Sequence, residues 1–71
     1  MPLHPGEVEK GRLIYIVKKE GIGVSETIED GTVLRKGPAI LPVRAYGQPA
    51  RFSRKSVQSI SRIFGIDSTK F

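Results

Sequence analysis

Seven cationic side chains, Arg35, Lys36, Arg44, Arg51, Arg54, Lys55 and Arg62, lie between Asp30 and Asp67 with no carboxylate among them. Guanidinium and ammonium groups gathered this way repel one another unless a polyanion neutralises them. The run therefore points to phosphate binding, with nucleic acid as the expected ligand. Other chemistry-bearing residues are sparse. His4 is the single histidine, there is no cysteine to join it in a metal site, and no carboxylate cluster stands near it to complete a triad. Gly21 and Gly23 lack the further glycines or the lysine that a phosphate loop needs. Neither enzymatic activity nor a metal or other cofactor is expected.

The formal charge of +5 conceals a division along the chain. Residues 1–34 carry six acids and four bases, a net of −2, whereas residues 35–71 carry eight bases and one acid, a net of +7. With 71 residues there is room for one modest core, and a core of that size supplies about 3–5 kcal/mol of net stability. The longest apolar run, residues 13–17, is far too short for a membrane span or a signal-peptide core. Together with the absence of cysteine, this leads to the expectation of a soluble cytoplasmic protein without membrane partners.

Positioning those charges requires elements, and their clarity varies. Residues 1–6 hold two prolines and a glycine and are expected as an irregular lead-in. Residues 7–20 fit a helix by length and by the shared face of Val8, Leu13, Ile16 and Val17, although the run at 13–17 has strand chemistry. After a turn at residues 21–23, Ser25 reads as the N-cap of a second helix, with Val24 and Ile28 on one face. Glu26 and Glu29 then lie near its positive end, and Gly31 shortens or bends it. Residues 33–36 continue to the breaker pair Gly37-Pro38. Residues 43–46 and 50–52 read as a hairpin turning at Gly47, which is expected to have positive φ. Ser53 then caps a helix over residues 54–64 that ends at Gly65. Its apolar stripe is Val57, Ile60 and Phe64, widened by Ile63. Phe52 is expected in the core, and residues 67–71 as a tail to a single domain of residues 7–66.

Arg54 and Lys55 open that last helix, where bases oppose the macrodipole. Local disfavour of this kind marks a place with another role, here an anion held against helix N–H groups. The stretch Leu41-Pro42-Val43-Arg44-Ala45-Tyr46-Gly47-Gln48-Pro49-Ala50-Arg51-Phe52-Ser53-Arg54-Lys55-Ser56-Val57 resembles the wing and following helix of excisionase and MerR-type winged helix-turn-helix domains. Gly23-Val24-Ser25-Glu26-Thr27-Ile28 is similar to the turn and recognition-helix start of those families. The resemblance implies an α+β, winged-helix-like fold and a DNA-binding, excisionase-like architectural factor. Its implied partners are double-stranded DNA and an integrase or a second copy on adjacent sites. Ser25, Glu26 and Thr27 would then enter the major groove, while Arg44, Gln48 and Arg51 would lie along the backbone or in the minor groove. Arg54 and Lys55 would clamp phosphate, with Arg35 and Lys36 adding charge.

Two other readings compete. A small SH3-like or OB-like β-barrel binding RNA, single strands or a protein is favoured by strand chemistry at residues 13–17, 32–34 and 40–46. It is disfavoured by thinly spread aromatics, because base-stacking platforms need two or three on one face. A membrane-surface helix at 54–64 is disfavoured by its cap and closing glycine, which fit a docked helix.

Overall fold

The computed structural model describes residues 5–27 and 31–71. The first four residues of the expected lead-in, including His4, and the Ile28, Glu29 and Asp30 assigned to the second helix lie outside the described residues. In chain order the elements are β1 (Val8–Glu9), α1 (Lys10–Lys19), β2 (Gly23–Glu26), β3 (Gly31–Lys36), β4 (Ala39–Arg44), β5 (Arg51–Phe52), α2 (Arg54–Phe64) and a 3-10 turn (Ser68–Lys70). The architecture is α+β. Strands β2, β3 and β4 form an antiparallel sheet in that order, and β1 pairs separately with β5.

Helix α1 forms despite its β-branched run because burial decides between the two periods. Leu13 and Val17, four residues apart, are completely buried, whereas Tyr15 between them is 62% exposed. No side chain caps its start; the Lys10 N–H instead donates to the Ala50 carbonyl at 3.0 Å. At the other end Gly21 takes φ 81°, and the Ile22 N–H reaches back to the Val17 carbonyl.

The expected second helix does not form. Residues 23–26 and 31–36 pair as antiparallel strands, with Val24 opposite Leu34 and Ser25 opposite Val33. Ser25 is therefore no N-cap. The physical reason is the period: Thr32 and Leu34 are buried while Val33 and Arg35 turn away, a two-residue alternation that a helix cannot satisfy. Gly23 and Gly31 further penalise helix. Gly37-Pro38, expected to end an element, does end β3 and is the two-residue loop joining it to β4, with Gly37 at φ 59° in its first position. Pro42 sits on β4, an edge strand, where its missing N–H costs no ladder bond inside the sheet.

The hairpin expected over residues 43–52 is reduced to one bridge, Tyr46 with Arg51, whose N–H and carbonyl groups exchange two bonds of 2.8 Å. β4 extends further towards the N-terminus than expected and pairs with β3, while β5 turns away to β1. Gly47, inside this loop, has φ 83°.

Helix α2 matches expectation at both ends. The Ser53 hydroxyl accepts from the Ser56 N–H at 3.2 Å, a cap that contributes about 1 kcal/mol. Gly65 is left-handed at φ 69°, as a C′ glycine must be. Val57 and Ile60 are buried and Phe64 packs against the core, but Ile63 is 46% exposed, so the apolar stripe is narrower than expected. Residues 67–71 fold back. The Asp67 carboxylate accepts from the N–H and the hydroxyl of Thr69, and both bonds hold its pKa below the ordinary aspartate value.

One core joins these elements: Leu13 and Val17 from α1, Leu34 from β3, Phe52 from β5, and Val57 and Ile60 from α2. Leu41 and Val43 of β4 border it, while Val33, Ile40 and Pro42 of the same sheet do not. Both helices therefore cover one face of the sheet and leave the other open. The result is a two-layer body, 18 Å along its shortest axis. Two helices on an open three-stranded sheet also differ from the closed barrel of the competing reading.

Candidate nucleic-acid interface

The charge run of residues 35–62 is divided by this architecture. On β3 and β4 the outward positions are Val33, Arg35, Ile40, Pro42 and Arg44, with Ser25 beside them on β2. Arg35 and Arg44 thus belong to the open face of the sheet. Arg54 and Lys55 belong to α2, in the helical layer on the opposite side. The single basic corner expected around a wing is not formed.

Arg51 leaves the surface altogether. Its side chain is 6% exposed, as is that of Glu7, and the two face each other with Nη1 3.8 Å from Oε1. Its Nε donates to the Pro49 carbonyl and its Nη2 to the Gln48 carbonyl, each at 3.3 Å. Arg51, expected to contact nucleic acid, thus has its guanidinium buried and bound to the loop that precedes it. Gln48 stays exposed in that loop, beside the cis Gln48–Pro49 bond.

The three residues expected to read bases are strand or strand-end residues. Ser25 is exposed on the open sheet face. Glu26 binds Lys10 of α1 at 2.7 Å, and that hydrogen bond, followed by the lysine charge, lowers the Glu26 pKa. The Thr27 N–H donates to the Gly31 carbonyl at 2.8 Å where β2 ends. No helix presents them to a major groove. Lys36, at the end of β3, reaches across to donate to the Glu20 carbonyl at 3.1 Å.

The surviving site is the solvent side of α2. At 100° per residue, Arg54, Gln58, Arg62 and Lys55 fall within an arc of about 100° opposite the buried stripe. All four are exposed, and none of the three cations has an ion-pair partner among the described residues. Three described carboxylates are engaged elsewhere: Glu26 by Lys10, Glu20 by Lys70 at 3.4 Å and Glu7 by Arg51. Ser53 supplies the cap and Gly6 closes over the stem of Arg54, since a Cβ at Gly6 would meet the Arg54 Cγ at 2.8 Å. The guanidinium is thereby directed outward from a packed stem.

Sequence reasoning missed the bases of α1 and the C-terminal turn. Arg12 and Lys19 are exposed on α1, and Lys70 is brought beside its last turn by the bond to Glu20. The spacing of Arg12, Tyr15 and Lys19 was the available signal. Among the described residues there is no cluster of metal-ligating side chains and no helix long and apolar enough to cross a membrane. Comparison with family models, with curated proteins and with solved structures returned no match to this chain.

Proposed function

We propose that this protein binds double-stranded nucleic acid through its phosphate backbone, with Arg54, Lys55 and Arg62 of α2 as the principal contacts. The observation that carries the reading is that these three cations share one exposed helix side without a carboxylate partner among the described residues. An unneutralised stripe of this kind is complementary to a polyanion whose counterions are released on contact. Backbone N–H groups in the first turn of α2 add to the attraction at Arg54 and Lys55.

A duplex is favoured over a single strand because, among the described residues, the cationic side of α2 presents no aromatic side chain on which bases could stack, Phe64 being packed against the core. Backbone contact without base readout is favoured because, of the residues expected to read bases, Glu26 is held by Lys10 and Ser25 lies on the sheet face away from α2. An architectural role beside an integrase depends on that recognition helix, so the proposal is kept to duplex binding.

Titration with a labelled DNA duplex, and with an RNA duplex of the same sequence, tests the reading. Five or six phosphate contacts give a log–log salt slope of about −4 to −6 on B-DNA. A slope near zero, or no binding of either duplex at low salt, would refute it.

A further inference from the structure

We infer that the groove between α1 and the C-terminal turn is a second phosphodiester-binding site, lined by Arg12, Lys19 and Lys70 and floored by Tyr15. The inference rests on the duplex-binding reading and assigns to it a surface outside the carboxylate-free run of residues 35–62. The groove, of about 390 Å³, is bounded by Arg12, Tyr15, Ile16, Lys19, Glu20 and Lys70.

Three features make it fit for a sugar-phosphate chain. First, the folded chain concentrates bases that the sequence keeps far apart. Lys70 lies 3.4 Å from the Glu20 carboxylate and Lys36 donates to the Glu20 carbonyl. Three bases, Arg12, Lys19 and Lys70, therefore line a groove whose one carboxylate among the described lining residues is Glu20, with Lys36 held at the Glu20 main chain. The C-terminal end of α1 accounts for attraction of cations in its last turn, but Arg12 lies two turns earlier and gains nothing from that dipole.

Second, the cations are held in place. Arg12 Nε donates to the Phe71 main-chain oxygen at 3.0 Å, which leaves its two Nη groups available to an anion. Lys19 Nζ stands 5.3 Å from the centre of the Tyr15 ring, so the ring sets the ammonium at the lip of the groove.

Third, Tyr15 is the most exposed of the large hydrophobic side chains in the described residues, at 62%. On the helix it lies within an arc of about 60° with Arg12 and Lys19. An exposed ring flanked by two cations meets a sugar face while the cations meet the phosphates on either side.

The groove also adjoins the α2 site through the C-terminal turn. A second groove, lined by Arg54, Val57, Ser68 and Phe71 among others, shares that C-terminal segment. Both sites thus belong to the helical layer, and one duplex bound across it engages both helices.

Salt titrations of Arg12→Gln/Lys19→Gln, of Lys19→Gln alone and of an Arg54→Gln/Lys55→Gln control separate the two sites, with circular dichroism confirming the fold. Each lost phosphate contact removes about 0.9 from the slope, so the α1 double variant is expected to lose about 2 and Lys19→Gln about 1. At 0.1 M salt the same relation gives the double variant an affinity loss of about 60-fold. In a Tyr46→Phe protein Tyr15 is the only tyrosine, and its emission is expected to change on duplex addition with the midpoint of binding. Wild-type affinity and slope in both α1 variants, beside a weakened α2 control, would overturn the second site and leave the proposed function standing. Absence of binding by the wild-type chain would overturn both.

Discussion

Arg51→Ala is expected to leave the chain largely unfolded at room temperature. Breaking a buried ion pair by removing one partner costs about 3–5 kcal/mol. That range equals the whole net stability of about 3–5 kcal/mol available to a core of this size. Glu7, 6% exposed, loses the guanidinium that faces it, and the carbonyls of Gln48 and Pro49 lose their donors in the same step. Because β5 joins β1 to the core, the loss spreads beyond the loop. Val8 pairs with the fully buried Phe52, and the α1 start hangs from the Ala50 carbonyl. Urea denaturation followed by circular dichroism measures the effect. Replacing both with apolar side chains, Glu7→Leu/Arg51→Met, recovers much of the stability, since an apolar replacement of a buried pair is close to neutral. An Arg51→Ala protein of wild-type stability would show that the guanidinium is not part of the core structure.

The opposite pattern is expected of Arg54→Gln/Lys55→Gln/Arg62→Gln. These side chains are exposed and unpaired among the described residues, so stability is expected to change by no more than about 0.5 kcal/mol per site. Removal of bases from the first turn of α2 even relieves an unfavourable interaction with its dipole. Duplex binding suffers instead. Three lost contacts reduce the salt slope by about 2.7 and, at 0.1 M salt, the affinity by roughly 500-fold. The loss is the same for every duplex sequence, because phosphate contacts carry no base information. A variant that folds normally and still binds with the wild-type slope would remove α2 from the interface.

Arg51 and Arg54 differ in a way that composition could not reveal. Both belong to one basic run, three residues apart, yet one is enclosed and the other projects into solvent. The partner that encloses Arg51 is Glu7, 44 positions earlier, brought near by the β1–β5 pairing. A two-residue strand leaves too little periodicity to announce such a pairing. Local chemistry, by contrast, was legible where it was self-contained. Ser53, the 3.6-residue spacing of Val57, Ile60 and Phe64, and Gly65 specify α2 without reference to any other part of the chain.

Residues 23–36 failed for the complementary reason. Val24, Ser25 and Ile28 mimic a capped helical start, and only the pairing of Leu34 with Val24 on one side and Leu41 on the other fixes the strand period. Such nonlocal pairing is what a short window cannot weigh. The strand chemistry of residues 32–34 and 40–46, noted for the barrel alternative, was sound as far as it went. It marked a sheet, but not the helices that cover it. The α1 stripe was hidden by the ambiguity of residues 13–17. Once a helix is granted, Arg12, Tyr15 and Lys19 fall together by spacing alone.

Backbone amide shift mapping by NMR during addition of a DNA duplex tests the interface most directly. Shifts are expected on the solvent sides of α1 and α2 and around the 3-10 turn, with Val33, Arg35 and Ile40 unmoved. Perturbations confined to the open sheet face, with α2 silent, would contradict the assignment of the helical layer as the phosphate-binding surface.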